Sequence, residues 1–477
     1  MLDVLPKLGR KKEIKLLDDC LYSGKAEFLV VYGRRRVGKT YLIKEYFNNS
    51  FSFYATGLSK AKTREQLRAF DGSLLEYGGE NNTVPRDWYD AFVKLKKLLR
   101  RDDVRRDPAS GKRVVFLDEL PWMDTARSDF KSALEYFWNS WASAEKDMLL
   151  IVCGSATSWI IDNLLSDRGG FYNRITRQMH LMPFTLEECR ELFEENGMSL
   201  TSQQVIESYM VFGGIPYYLN CFDRRLSLAQ NIEELLFKQT GQLYYEYDRL
   251  LGSLFKKCER HAAILTALST KKGGMLRTEL ARISQIGDGA PLTKALNELE
   301  QCGFIRKYKN YMKEKNGVYF QLIDPFMMFC YKFIQNREYD SWMSYINTPG
   351  YYSWAGNAFE MVCLIHVNQI KKTLGIAGVD TNEYAWRSMA SNPGAQIDLI
   401  IDRKDGVVNV CEIKYTMTKY AIDAAYEDNL RNKIYAFVNE TKCKKAVHLT
   451  FLSVAGLIKN SHSGIVQNEI TGNDLFC

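Results

Sequence analysis

The chain has 477 residues, and Lys plus Arg exceed Asp plus Glu by 64 to 57, a formal net charge of +7. Hydrophobic residues at 46% and charged residues at 25% are the mix of a folded globular protein of roughly two to four domains, and they exclude collagen-like, low-complexity and wholly disordered chains. The positive excess permits a nucleic-acid partner without demanding one.

The apolar runs, such as Phe326 to Tyr331, fall far short of the roughly 18 residues that span a bilayer, so no membrane is expected. The first dozen residues are charged early and lack a continuous apolar stretch, so no signal peptide is expected. The 11 cysteines contain no C-x-x-C pair. That predicts buried thiols in a reducing, cytoplasmic setting rather than disulfides or a thiolate zinc site.

In chain order, Phe28–Tyr32, Phe51–Tyr54, Val114–Leu117, Met148–Cys153 and Met179–Leu181 read as short strands. Helical patterns such as Thr63 to Tyr77 and Ser128 to Ala144 separate them, an alternation that predicts a parallel sheet with helices on its faces. The charged stretch Arg100 to Arg113 reads as a solvated loop. From about Leu186 to Lys257 the pattern is mostly helical. Helices at Ala262–Leu268, Thr278–Ile283 and Pro291–Glu300 precede two β-like runs, Gly303–Lys307 and Val318–Leu322. This is the order of a winged helix-turn-helix. From about Ile323 helix and strand alternate again.

Gly33-Arg-Arg-Arg-Val-Gly-Lys-Thr40 fits G-x-x-x-x-G-K-[ST] between an apolar strand and a helical run, the context a phosphate-binding loop requires. Gly33 and Gly38 let successive amides face phosphate oxygens, and the next helix adds its positive end. Arg34, Arg35, Arg36 and Val37 complete the loop, and Tyr41 heads the helix. Lys39 is expected on the β- and γ-phosphates, and Thr40 on Mg²⁺. The bland alternative is a chance Gly/Lys loop. Asp118 and Glu119 end an apolar strand. Asp118 is expected to hold the metal through water and Glu119 to polarise the attacking water, against the alternative of a merely acidic turn. A strand near Phe51, between the two motif strands, fits the additional-strand class of P-loop ATPases. Ser155 is expected either at the γ-phosphate or as a helix N-cap. Arg168, Arg174 and Arg177 are candidates for a phosphate-sensing cation, or for surface ion pairs.

Gly9-Arg10-x-x-Glu13, Tyr32 to Thr40, Leu117-Asp-Glu119, Gly154-Ser155, Tyr172-Asn-Arg174, Pro183-Phe184 and Phe212-Gly-Gly-Ile-Pro216 occur in that order. Together they resemble the archaeal-type ATPases, a prokaryotic group related to AAA+ and STAND ATPases, over about the first half of the chain. The resemblance implies ATP as ligand, places Gly9 and Arg10 near the adenine, and assigns Pro216 to a nucleotide-sensing helical lid. It makes Arg174 the candidate phosphate sensor, in cis or in trans.

Further on, Gly394 to Ile401 carries Asp398, an Asp405-Gly406 turn follows, and Val407 to Tyr415 carries Glu412 and Lys414. Two strands joined by Asp-Gly form a hairpin, and period-two geometry puts Glu412 and Lys414 on one face. Glu360 sits on a helical pattern upstream. Asp, Glu-x-Lys and an upstream Glu form the pattern of PD-(D/E)XK nucleases, whose carboxylates hold Mg²⁺ while Lys414 assists. The chain resembles the nuclease-like domain fused behind archaeal-type ATPases and winged helices, and Leu322-Ile-Asp-Pro-Phe326 is similar to the link in those fusions. Ile397 stands where that pattern has Pro, and no downstream Gln or Tyr is evident. The alternatives are an exposed hairpin with a cross-strand ion pair, or a degenerate nuclease fold kept for binding. Tyr351 to Trp354 can stack on bases or pack in a core. Lys294, with Glu298 and Glu300 nearby, leaves DNA and protein equally open as partners of the winged helix.

The expectation is therefore an α/β protein. A P-loop ATPase core with parallel sheet spans 1–184, a helical lid 185–257, a winged helix 258–322, and a restriction-endonuclease-like α/β domain 323–477. It is expected to bind ATP or ADP with Mg²⁺ and to control a nuclease-like domain acting on DNA, with a homo-oligomer open. The alternative is a STAND-like switch or scaffold with an inactive C-terminal domain.

Overall fold

Continuous apolar runs form strands that bury both faces. In a computed structural model, Glu27–Tyr32 (β1), Phe53–Thr56 (β2), Arg113–Asp118 (β3), Met148–Gly154 (β4) and Arg177–His180 (β5) pair as an all-parallel sheet in the order β2-β3-β4-β1-β5. The described residues are 9–80, 83–166, 169–171, 173–255, 258–311, 317–335, 340–388 and 394–477. Arg168 and Tyr172, singled out above, lie outside them. All of β3 and β4 is buried, as expected of strands covered by helices on both sides. The helices Thr63–Glu76, Trp88–Leu99 and Phe130–Ser140 bring Phe70, Trp88, Phe130 and Trp138 against one face of the sheet. Trp88 is fully buried, edge-on to Phe130 at 4.7 Å.

The solvated loop expected at Arg100 to Arg113 ends otherwise. Lys112 and Arg113 are both buried. Lys112 Nζ donates to the carbonyls of Cys20 (2.9 Å) and Lys25 (2.7 Å). Arg113 donates to Glu145 (2.8 Å), Asp147 (2.5 Å) and the Leu99 carbonyl (2.8 Å). Charge goes inside here because each cation finds several oxygens there.

The chain divides into two compact units, one ending at Met182 and one running from Pro183 to Cys477. The second unit opens with helices Leu186–Glu195 and Ser202–Phe212, begun by capping boxes at Thr185/Glu188 and Thr201/Gln204. Helices Glu259–Ser269, Arg277–Ile283 and Ala290–Gln301 accompany a sheet of Met275–Leu276 (β6), Ile305–Lys309 (β7) and Val318–Leu322 (β8), in the order β6-β8-β7. The strand β6 is too short to leave a periodic signature. A second sheet holds Thr381–Arg387 (β9), Gln396–Arg403 (β10), Val407–Lys414 (β11), Ala446–Ser453 (β12) and Asn468–Thr471 (β13), in the order β13-β12-β11-β10-β9. Beyond β7, Asn310 bridges Ala385 of β9, and the Tyr311 amide donates to the Ala385 carbonyl at 3.0 Å.

Helix Ser202–Phe212 packs against helix Pro349–Ile365 and against Pro325–Phe329. The helical segment expected as a lid thus shares a unit with the C-terminal half. Its turn is tight. Gly214 has φ +67, and a Cβ there would lie 2.4 Å from the Phe184 oxygen and 2.6 Å from Tyr209 Cε2. Gly214→Val should therefore cost the second unit at least about 2 kcal/mol, through left-handed strain and overpacking. In chemical denaturation followed by separate probes in each unit, only the second unit's midpoint should fall.

Candidate functional site

The end of β1 sets up the loop. Gly33 has φ +146, and a Cβ would fall 2.3 Å from the Leu181 oxygen, so only glycine fits. Gly38, φ +91, caps the helix Lys39–Tyr46. Lys39 is 5% exposed and folds back on the loop, donating to the carbonyls of Gly33 (3.0 Å) and Arg34 (2.9 Å). Thr40 Oγ1 donates to both oxygens of Asp118, at 3.1 and 2.9 Å. Among the other loop residues Arg34 and Val37 are buried, Arg36 half-buried, and Arg35 exposed like Tyr41.

Asp118, the last residue of β3, is 3% exposed and also accepts from the Cys153 thiol at 2.9 Å. Next to it Glu119 adopts the left-handed conformation, φ +46. Ser155 Oγ donates to its two oxygens at 3.1 and 2.9 Å. Ser155 therefore holds Glu119, and the N-cap alternative gives way: the next helix, Thr157–Ile160, has Ala156 at its N-cap with no side-chain bond. Buried Gly9 has φ +69. Arg10, 4% exposed, donates to the carbonyls of Val37 (3.2 Å) and Met182 (2.7 Å), tying the N-terminal motif to the loop. Arg174 is exposed in the turn before β5, its amide bonded to the Phe171 carbonyl. Pro216 is buried at the start of Pro216–Leu219 in the second unit.

The hydroxyl of Thr40 and the carboxylate of Asp118 are hard oxygen donors side by side, a set that fits Mg²⁺. Sequence reasoning missed His180. It stacks on Tyr32 at 4.7 Å and 7°, and burial with the nearby Lys39 charge pushes its pKa down. A lone histidine on an edge strand carries no pattern; only the register Tyr32↔His180 places it.

The second constellation lies wholly in the second unit. β10 and β11 pair antiparallel with Leu399 opposite Cys411, which leaves Asp398 and Glu412 one step further on. Glu412 is 8% exposed, with Lys414 Nζ 3.8 Å away. Glu360, on the helix Pro349–Ile365, is 9% exposed. Its carboxyl is pushed up to about 7 by burial first, then by the charge of Asp398, with Glu412 adding less. The three carboxylates are thus neighbours.

Each is engaged. Asp398 accepts from Gln396 Nε2 at 2.5 Å. Glu412 accepts from the Tyr426 hydroxyl (2.5 Å) and Lys433 (2.8 Å). Lys272 Nζ stands 2.6 Å from Glu360, yet Glu360 Oε2 is buried with no hydrogen-bond partner. Among the described residues no group of three or more His, Cys, Asp or Glu is gathered to hold a metal ion. Asp398 and Glu412 remain a two-carboxylate, all-oxygen donor set of the kind Mg²⁺ takes with water, and the unbonded Glu360 oxygen is a further donor at hand. Lys272, Tyr426 and Lys433 were not foreseen. Tyr426 and Lys433 lie two turns apart on the helix Ala424–Thr441, a spacing that puts them on one face.

Tyr351 and Trp354 are buried among Phe329, Phe333 and Trp342, which is core packing, while Tyr352 is 45% exposed. Lys294 lies 4.0 Å from Glu298, and Glu300 pairs with Lys307.

Residues 8–222 match a family model described as an ATPase domain predominantly from Archaea. An uncharacterized protein of Methanocaldococcus jannaschii is 25% identical over 329 residues, 69% of this chain and 68% of the relative. An uncharacterized ATP-binding protein of the same organism is 41% identical over 49 residues, 10% of this chain and 83% of its own length. A Walker-type ATPase of Pyrococcus abyssi superposes with a TM-score of 0.50 at 18% identity, covering 68% of this chain and 95% of that one. The α/β fold with a parallel sheet is therefore that of P-loop ATPases.

The raised pKa of Glu360 makes stability depend on pH. Its folded value near 7 stands above the reference 4.5, so the contribution is complete below pH 4.5 and is lost as pH rises through 7. The loss is at most about 3 kcal/mol. In EDTA, denaturation midpoints of Glu360→Gln should lack this fall between pH 4.5 and 8.

Proposed function

We propose that the first unit binds and hydrolyses ATP with Mg²⁺, and that its nucleotide state controls a C-terminal nuclease-like domain acting on DNA. The observation that carries this reading is the meeting of Lys39, Thr40, Asp118, Glu119 and Ser155 at one edge of the parallel sheet. On nucleotide binding, Lys39 exchanges the Gly33 and Arg34 carbonyls for the β- and γ-phosphates, and Thr40 with Asp118 holds Mg²⁺. The metal offsets charge on the phosphates. Glu119, fixed by Ser155, orients the attacking water as general base. Arg10 braces the loop from below, with Gly9 beside the adenine. Arg174 and Pro216 are assigned to sensing the γ-phosphate and relaying nucleotide state.

In the second unit, the three helices with β6, β7 and β8 are read as a winged helix that contacts DNA or a protein partner. The β9 to β13 sheet is read as a PD-(D/E)XK-like fold in which Asp398 and Glu412 hold Mg²⁺, with Glu360 and Lys414 beside them. A homo-oligomer and a cytoplasmic setting belong to the same proposal. The second reading, a STAND-like switch with an inactive nuclease fold kept for binding, draws support from the lysines that already neutralise Glu360 and Glu412.

Lys39→Ala should abolish tight ATP binding in equilibrium titration, because the phosphates lose their positioned cation. Glu119→Gln should keep binding and lose hydrolysis by about 10²-fold or more; equal turnover in wild type and Glu119→Gln would sink the assignment. Plasmid and single-stranded DNA incubated with Mg²⁺ or Mn²⁺, with and without ATP, separate the two readings. Metal-dependent cleavage removed by Asp398→Ala or Lys414→Ala supports the nuclease, and no cleavage under any condition favours the switch.

A further inference from the structure

The cation at Glu360 comes from another part of the second unit. Lys272 lies 88 residues earlier, in the turn between the helix Glu259–Ser269 and β6. That turn is pinned by the small sheet. Gln321 Nε2 of β8 donates to the Lys272 carbonyl at 2.8 Å, the Tyr308 hydroxyl of β7 donates to the Gly273 carbonyl, and the Gly274 amide donates to the Lys271 carbonyl at 2.9 Å. Arg306, also on β7, donates to Gln321 at 2.7 Å and feels the charges of Asp398 and Glu383. The same strand runs on to Ala385 of β9. One rigid element thus delivers Lys272 into the carboxylate site.

The charge count there is already closed. Glu360, Asp398 and Glu412 are answered by Lys272, Lys414 and Lys433, with Arg306 close behind. Lys414 and Lys433 both sit on Glu412, and both belong to the sheet and helix of the site itself. Lys272 alone of these three lysines is imported, and it takes the carboxylate whose second oxygen has no hydrogen-bond partner. An ammonium and a divalent cation cannot both occupy that oxygen-lined position, since each is drawn by the same negative charge and they repel one another.

We propose that Lys272 is a built-in cation that competes with a divalent metal for the Glu360–Asp398–Glu412 site, so that the site fills only when the turn 270–274 withdraws. The device rests on reading Asp398 and Glu412 as metal ligands. It makes the three-stranded sheet the element that regulates metal loading: as long as β7 stays joined to β9, Lys272 stays in place.

The test is Mn²⁺ binding to the full chain without nucleotide, followed by the free-Mn²⁺ electron paramagnetic resonance signal. Wild type, Lys272→Met, Lys272→Arg, Asp398→Ala and the Lys272→Met/Asp398→Ala double variant are compared, each checked for an unchanged melting profile. Methionine keeps the stem and removes the charge. Lys272→Met should bind one Mn²⁺ at least about tenfold tighter than wild type, a change of about 1.4 kcal/mol. Lys272→Arg should behave as wild type, and the double variant should lose the gain. Equal affinity in wild type and Lys272→Met, both lost with Asp398→Ala, overturns the competition while leaving the metal site standing. Absence of any Asp398-dependent Mn²⁺ binding in all forms overturns the metal site and the competition together. Restored affinity in Lys272→Met that survives Asp398→Ala places the ion elsewhere and overturns the proposal as well.

Discussion

A carboxylate buried at the end of a fully covered strand is the constraint on which the first unit turns. Asp118 is out of water because β3 has strands on both edges and helices on its faces. A charge in that position needs partners, and it draws the Thr40 hydroxyl and the Cys153 thiol toward itself. The loop after β1 and the end of β4 are thereby brought to the same point as β3, although β4 lies between β1 and β3 in the sheet. Lys39 closes the arrangement by binding loop carbonyls, which keeps its own ammonium solvated by protein oxygens. The geometry is that of a site held ready by mutual satisfaction of its polar groups.

The carboxylate site of the second unit is organised on the opposite principle. Antiparallel register brings two acidic strand positions together, a helix adds a third, and lysines from three different elements compensate them. Desolvation still shows, because Glu360 holds its proton far more tightly than an ordinary glutamate. Buried acids kept side by side are costly to a fold that has no use for them, which is why the cluster weighs more than an isolated Glu-x-Lys in a strand.

The strands β1, β3 and β4 were legible because burial on both faces leaves uninterrupted apolar runs. The strands β2 and β5 each came out two residues off at one end or the other, since edge strands carry mixed polarity and their limits are drawn by pairing. Lys112 and Arg113 were misread as solvated because charge density alone suggests exposure; nothing local announces the Cys20, Lys25 and Asp147 oxygens that receive them. Ser155 was left open between two local roles, and the partner that decided it, Glu119, lies 36 residues away. The motif residues of both sites could be named from spacing, whereas Lys272, Tyr426, Lys433 and His180 enter by tertiary approach, which spacing does not record.

The turn at Gly213-Gly214 touches the segment that opens the C-terminal part. A Cβ on Gly213 would lie 3.2 Å from Pro325 Cδ, Tyr218 and Phe326 stack at 4.7 Å, and Asp324 caps its own helix through the Met327 amide at 2.7 Å. Two stretches more than a hundred residues apart are thus one joint. Modules are exchanged between proteins by recombination at joints that few contacts cross. A crossover near residue 258 or 323 would strip Tyr218 and Phe326 of each other, and only chains inheriting both halves of that joint would fold well. The unit that travels between proteins is therefore the stretch after Met182 taken whole, and the turn and the 322–326 link must change in step as such chains diverge.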